Sequence, residues 1–337
     1  MATNERGFGS KKGACVTHPL LDIRGLCVDY VTDSGVARAV NNVSFAIAPG
    51  ETIGLAGESG CGKSTLAFAV ANLHSAPAVI SEGEILFEGV DVLKMSASDL
   101  RVFRWAKASM VFQSAMNALN PVITIGEQLI DVVLAHQPVG YDEAFARAEE
   151  SLHLVGIHQS RMQSYAHQLS GGMRQRVVIA IALILKPKLM IMDEPTTALD
   201  VVVEREIMDQ LHELKARLGF AVLFISHDLG LMGEITDRIG VMYAGKLVEM
   251  GDTDQLIANP KHPYTRGLLA SFPTIHGPKI RLNGIPGNPL DLLKVPEGCY
   301  FQERCSKSTS YCLKTQPLLI PVAGDHSHQV ACIEITQ

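Results

Sequence analysis

Residues 57–64 read Gly-Glu-Ser-Gly-Cys-Gly-Lys-Ser, the spacing G-x-x-x-x-G-K-[ST]. At that spacing bare backbone N–H groups, an ammonium and a hydroxyl can converge on phosphate oxygens. The apolar run Thr52 to Ala56 precedes the loop, and helix formers follow from Gly62 to Leu73. A strand, loop and helix in that order point the loop amides out of the positive end of the helix, where anions bind. Gly57, Glu58, Ser59, Gly60, Cys61, Gly62, Lys63, Ser64 and Thr65 are therefore expected to bind a nucleoside triphosphate. Lys63 supplies charge to the β and γ phosphates, and Ser64 supplies a hydroxyl to magnesium.

A second constellation follows at the end of another apolar run. Leu189-Met190-Ile191-Met192 leads into Asp193 and Glu194. Beside a phosphate loop, Asp193 is suited to hold magnesium and Glu194 to act as general base on the attacking water. Further upstream, Ser170-Gly171-Gly172-Met173 opens the apolar stretch Val177 to Leu185. A hydroxyl and bare amides at a helix start make an anion site, although the octapeptide taken alone is also an ordinary serine cap.

These groups need elements to hold them. Two β-rich runs between Leu21 and Ile47 flank Thr32-Asp33-Ser34-Gly35, a hairpin signal. Strands are expected at 51–57 and 82–89, and again at 188–194, 221–226 and 239–245 with a helix over Val201 to Arg217 between the first two of these; this later alternation marks a largely parallel sheet. Residues 96–168 read as a mostly helical insert, clearest from Asp142 to Val155. Nine of the sixteen prolines lie in residues 259–337, so the expected organisation is a mobile tail over 1–18, a nucleotide-binding domain over 19–258 and a C-terminal domain over 259–337. The formal net charge of −6 argues against a general nucleic-acid binder. The longest apolar run, Val177 to Leu185, is far short of the roughly 20 residues a membrane span needs.

The motifs together resemble the ATP-binding cassette (ABC) family. The likeness covers about residues 21–258, with Ser170 to Met173 in place of its signature. By that resemblance Tyr30 stacks on adenine, Gln113 in MVFQ is the Q-loop glutamine and a magnesium ligand, Asp200 in Ala198-Leu199-Asp200 belongs to the D-loop, and His227 in ISHD is the switch histidine. Gly-Gly-Met at 171–173, MNALNP at 116–121 and HPYT at 262–265 resemble the dipeptide and oligopeptide importers. Met173 and Ser114-Ala115 depart from residues frequent in the wider family, and neither change removes a phosphate ligand.

The fold implied is an α/β P-loop cassette with a mostly parallel core sheet, an N-terminal antiparallel β portion, a helical insert and a Pro/Cys-rich C-terminal domain. The function implied is that of an ATPase subunit, with ATP and Mg2+, at the cytoplasmic face of the membrane. It would power a peptide importer, or in relatives an oligosaccharide or nickel importer. The partners implied are a second ATPase chain stacked head to tail, so that Lys63 of one and Ser170 of the other enclose one ATP, and two separate permease subunits. A solute-binding protein outside the membrane completes the set. The rival is a soluble, non-transport cassette protein, against which stand the short distance from Gly57 to Leu169 and the lack of heptad runs.

Four of the seven cysteines, Cys299, Cys305, Cys312 and Cys332, fall within 34 residues. Four thiolates suit an iron–sulfur cluster or zinc, and as spaced they could equally remain free or form a disulfide. Some members of the resembled subfamily hold a four-iron four-sulfur cluster in this extension, which makes these four residues its expected ligands. Its expected role is to fold the C-terminal domain, with ATP chemistry elsewhere. His326 and His328 are possible substitute ligands or loop residues, and Cys15, Cys27 and Cys61 are read as non-ligands.

Overall fold

The computed structural model describes residues 18–113, 117–197, 199–271 and 284–336. The expected tail, Cys15, the departure Ser114-Ala115 and Ala198 lie outside the described residues, apart from His18 at the tail's end. The hairpin forms as expected: β1 (Leu21–Thr32) and β2 (Gly35–Ile47) pair antiparallel and close on Thr32 opposite Gly35. Next, β3 (Thr52–Ala56) feeds the glycine loop and α1 (Lys63–Val70). The strand expected at 82–89 starts earlier, as β4 (Ala78–Phe87), and pairs with β1; the short β5 (Val90–Asp91) flanks it.

The insert is mostly helical, as expected, in α2 (Ala97–Ala106), α3 (Ile125–His136) and α4 (Tyr141–Leu154), and it also contains a strand not foreseen in it, β6 (Ala108–Val111). Those four residues become a strand because they lie parallel to β7 (Leu189–Asp193), a partner distant in sequence. α5 (Gly171–Leu183) precedes β7, and α6 (Val201–Leu218), β8 (Ala221–Ile225), α7 (Leu229–Ile235) and β9 (Arg238–Tyr243) follow it. The chain continues through β10 (Lys246–Asp252), α8 (Thr253–Ala258) and α9 (Pro263–Ala270) to β11 (Ile320–Val322), β12 (Asp325–Val330) and α10 (Ile333–Thr336). The large sheet runs β11-β12-β10-β9-β3-β8-β7-β6, parallel from β9 to β6.

Alternation along the parallel strands divides the interior in two. Leu189 and Ile191 of β7 and Leu223 and Ile225 of β8 join α1 and the antiparallel sheet in one core. Met190, Met192, Val222 and Phe224 face the other way, into a core shared with α3 to α6. Both faces are covered, which is why these strands read as unbroken apolar runs. Val177 to Leu185 lies in the second core, and among the described residues no helix is long and apolar enough to cross a membrane.

The proline-rich segment is tied to the large sheet through a buried charge. β12 pairs antiparallel with β10, Glu249 standing opposite Val330. The Glu249 carboxylate, fully buried, accepts the N–H groups of Lys261 (2.6 Å) and His262 (2.9 Å) and lies 2.7 Å from His328 Nε2. Burial raises its proton affinity, but these bonds outweigh that effect and hold the carboxyl below its ordinary range. His328 is thus a buried strand residue bound to a carboxylate, which corrects the ligand-or-loop expectation, while His326 is exposed on the same strand. Replacing Glu249 with Ala should orphan this network and cost about 3–5 kcal/mol in denaturant unfolding. A loss below about 1 kcal/mol would show that the network does not hold β10 to β12.

Candidate functional site

The glycine loop is shaped by lack of room. Gly57 has φ +149° and a Cβ there would stand 2.3 Å from the Met242 carbonyl oxygen; Gly62 has φ +105° and its Cβ would stand 2.1 Å from that of Ala39. Only glycine fits where β9 and β2 press on the loop from both sides. The fold this forces turns the Gly57 and Glu58 carbonyls inward, where Lys63 Nζ donates to both, at 2.7 and 3.0 Å. The Lys63 residue is only 5% exposed. Because Gly62 caps α1 without a side chain, the first-turn amides have no side-chain acceptor from their cap.

Across the loop stands the end of β7. Ser64 Oγ donates to Asp193 Oδ1 at 3.0 Å. Burial pushes the Asp193 carboxyl above its ordinary range; the Ser64 bond and the Lys63 charge oppose the rise, and Glu194 adds to it. Glu194 sits at φ +45°, a left-handed backbone that few non-glycine residues adopt and that commonly marks working sites. Its carboxylate accepts from Gln113 Nε2 (3.0 Å) and Thr197 Oγ1 (3.2 Å) and lies 3.4 Å from His227 Nδ1. A cavity of about 470 Å3 is shared by Tyr30, Ser59, Gly60, Gly62, Lys63, Ser64, Thr65, Gln113, Glu194 and His227. Tyr30 holds its hydroxyl 3.3 Å from Thr65 Oγ1.

Other expected residues lie elsewhere. Ser170 caps α5, its Oγ accepting from the Met173 N–H, and Asp200 caps α6 through the Val203 N–H. Neither Ser170, Gly171, Gly172, Met173 nor Asp200 lines the cavity that holds Lys63. The two helix starts touch, since a Cβ on Gly172 would meet Val203 at 2.6 Å. Cys299, Cys305, Cys312 and Cys332 line a second, small cavity with His262 and Phe301. None of the described cysteines is in a disulfide, and among the described residues no three His, Cys, Asp or Glu side chains are placed to hold a metal ion. Burial pushes the Cys299 thiol up to about 11, the neighbouring thiols adding to it.

Four residues at or beside the site escape a reading from sequence. Thr197 could have been found as a hydroxyl three positions after Glu194, and Tyr264 as the tyrosine of HPYT. Leu292 lines the nucleotide cavity from the C-terminal segment. Arg304 has no sequence signal, because its partner Glu58 is 246 residues away. Its guanidinium holds the Glu58 carboxylate with both arms, at 2.7 and 2.8 Å, while Tyr264 Oη accepts the Glu58 N–H at 2.8 Å.

The crowding at Gly62 gives a direct test. Gly62→Ala must displace a backbone carbonyl and adopt a strained φ, at about 1–3 kcal/mol, so nucleotide affinity should drop roughly tenfold or more. Titration with a fluorescent ATP analogue measures it, with the unfolding midpoint as control. Unchanged affinity would remove this loop from the site.

Comparison with known proteins places this geometry. The family described as "ABC transporter" matches residues 40–197, and "Oligopeptide/dipeptide transporter, C-terminal region" matches residues 248–312. The oligopeptide transport ATP-binding protein OppD of Haemophilus influenzae is 45% identical over 88% of this chain and 92% of its own. OppD of Bacillus subtilis is 40% identical over 91% and 87%. Among solved structures, the ATP-binding cassette MJ0796 in a dimeric post-hydrolysis state bound to ADP and Pi is similar with a TM-score of 0.62 and 27% identity, covering 69% of this chain and 98% of that one. With a curated relative this similar along nearly the whole chain, and with both family descriptions matched in order, the chain belongs to the ATP-hydrolysing subunits of ABC transporters, in the oligopeptide/dipeptide group.

Proposed function

We propose that this chain binds and hydrolyses ATP to drive import of peptides through separate membrane subunits. The observation that carries the reading is one cavity lined by the buried Lys63, by Ser64, which donates to Asp193 behind it, and by the Glu194 carboxylate, held by Gln113 and Thr197 with His227 beside it. Tyr30 packs against the base, and Lys63 exchanges its two loop carbonyls for phosphate oxygens. The hydroxyl and carboxylate oxygens of Ser64 and Asp193, with Gln113 nearby, are the hard donors that Mg2+ takes. Bound there, magnesium would supply positive charge against the negative charge of the triphosphate. Glu194 orients a water and accepts its proton as the water oxygen bonds to the γ phosphorus and the bridging bond to ADP breaks. Gln113 and His227 hold the Glu194 carboxylate in line.

Ser170 and Asp200 serve the nucleotide of a second cassette stacked head to tail, a reading supported by their absence from this chain's own cavity. The peptide cargo, the two permease subunits and the extracytoplasmic binding protein follow from the group the chain belongs to, as does a peripheral place on the cytoplasmic face. The three-part organisation, with a boundary near residue 259, is retained in this reading. Glu194→Gln in the assembled transporter should keep ATP binding and lower turnover by about 10²–10⁴-fold. Phosphate release at the normal rate would overturn the assignment.

For the second cavity we propose a four-iron four-sulfur cluster held by Cys299, Cys305, Cys312 and Cys332. Four soft donors line one cavity and have the chemistry for it, although among the described residues they are not spaced to hold a metal and the side chains must rearrange and lose their protons to take it. A cluster there supplies cross-links to a segment with little core of its own. Protein purified without oxygen should be brown and contain close to four irons per chain, and each Cys→Ser change should lower that content. An iron-free preparation, or one with a single zinc, would reject the cluster.

A further inference from the structure

The phosphate loop is not held by its own domain alone. Glu58 is its second residue, and three of its groups are engaged at once. Its N–H donates to Tyr264 Oη, its carboxylate takes both arms of Arg304, and its carbonyl accepts Lys63 Nζ at 3.0 Å. Arg304 is fixed in turn. Its side chain is 5% exposed, its Nε donates to the Pro286 carbonyl at 2.9 Å, and its guanidinium lies over the rings of Tyr243 and Phe301, at 5.7 and 5.8 Å. It ends the one-turn helix Gln302–Arg304, so that Cys299 lies just before that turn and Cys305 just after it. The backbone there is drawn tight, with the Cys299 N–H on the Cys312 carbonyl and the Arg304 N–H on that of Phe301. Phe301 lines the thiol cavity on one side and packs against Tyr243 and Tyr264 on the other.

We propose that Arg304 is a positioning residue for the phosphate loop, and that through it the four-cysteine cavity and the nucleotide site are energetically coupled. A planar fork on a carboxylate fixes direction as well as distance. Holding Glu58 this way sets where its carbonyl points, and that carbonyl is one of the two oxygens from which Lys63 must part to reach a phosphate. Anything that shifts the turn at 302–304, including loss or modification of the cysteines around it, moves the same lever. Coupling of this kind is reciprocal, so nucleotide on the loop must alter the cysteines in return. The inference rests on the reading of residues 57–65 as the ATP loop.

The test uses the full chain as purified, with Arg304→Met, Arg304→Lys, Glu58→Gln and Lys63→Ala. Affinity for a fluorescent ATP analogue, KM and kcat for ATP, and the unfolding midpoint are read for each. Arg304→Met and Glu58→Gln should each weaken nucleotide affinity about five- to twentyfold and raise KM with kcat little changed, and the double variant should be no worse than either single one. Arg304→Lys, which keeps charge without the fork, should recover part of the affinity. The second readout needs no turnover: per-residue alkylation of Cys299, Cys305, Cys312 and Cys332 in the chain freed of any iron with a chelator, followed by mass spectrometry, with and without ATP. ATP should change the rate at Cys305 at least threefold in the native chain and leave it unchanged in Arg304→Met. A lowered midpoint with unaltered affinity and ATP-independent alkylation would make Arg304 a structural staple only and overturn the proposal. Native affinity in Lys63→Ala would instead overturn the reading of the loop itself.

Discussion

A buried ammonium sets the terms for this molecule. Lys63 cannot lie inside the protein without oxygens around it, because an unpaired charge at that depth is prohibitive. The nearest oxygens are main-chain carbonyls of its own loop, and they face inward only if Gly57 and Gly62 adopt conformations that side chains forbid. Those conformations bring the loop against the backbones of β2 and β9, two strands from different sheets, and β2 goes on to line the cavity through Ala37 and Ala39. Phosphate oxygens are better partners than carbonyls for the same cation, so Lys63 is held on two bonds that an anion can replace.

Much of this was legible before any coordinates. The loop announces itself because phosphate binding needs backbone amides, and amides are exposed by glycines at fixed intervals. The core strands do so because burial on both faces leaves only apolar residues. What escaped is what depends on distant partners. Ala108 to Val111 carries no strand pattern among helix formers and becomes one only beside β7. His328 sits in a polar run that reads as loop, and its burial follows from a carboxylate 79 residues earlier. Glu58 was placed among nucleotide ligands by position, whereas its carboxylate is spent on Arg304.

The C-terminal segment is correspondingly less separate than its composition implies. Proline and cysteine enrichment marks a change of building style, with turns and a thiol-lined cavity in place of long helices. The contacts that bind it to the rest nevertheless include β12 on β10, His328 on Glu249 and Arg304 on Glu58. Tyr264, Tyr243 and Phe301 fill the space between with ring contacts of 4.8 to 5.3 Å, and this aromatic wedge is continuous with the second core. The thiol cavity and the nucleotide cavity share no lining residue, and Arg304 reaches from the turn before Cys305 to Glu58 of the phosphate loop.

The sequence distance from Glu58 to Arg304 also orders events during synthesis. Residues 57–65 leave the ribosome early, and their strand, helix and glycines are present long before position 304 is translated. Until then the outer corner of the loop has no guanidinium to grip it, and before position 264 is made it lacks the Tyr264 hydroxyl as well. Domains made N-terminal part first are exposed to kinetic traps while they wait. Here the waiting part is the one that would consume fuel, and its last fastening is a guanidinium made 246 residues later, so the fuel site is finished only after the segment that carries the thiol cavity has begun to emerge.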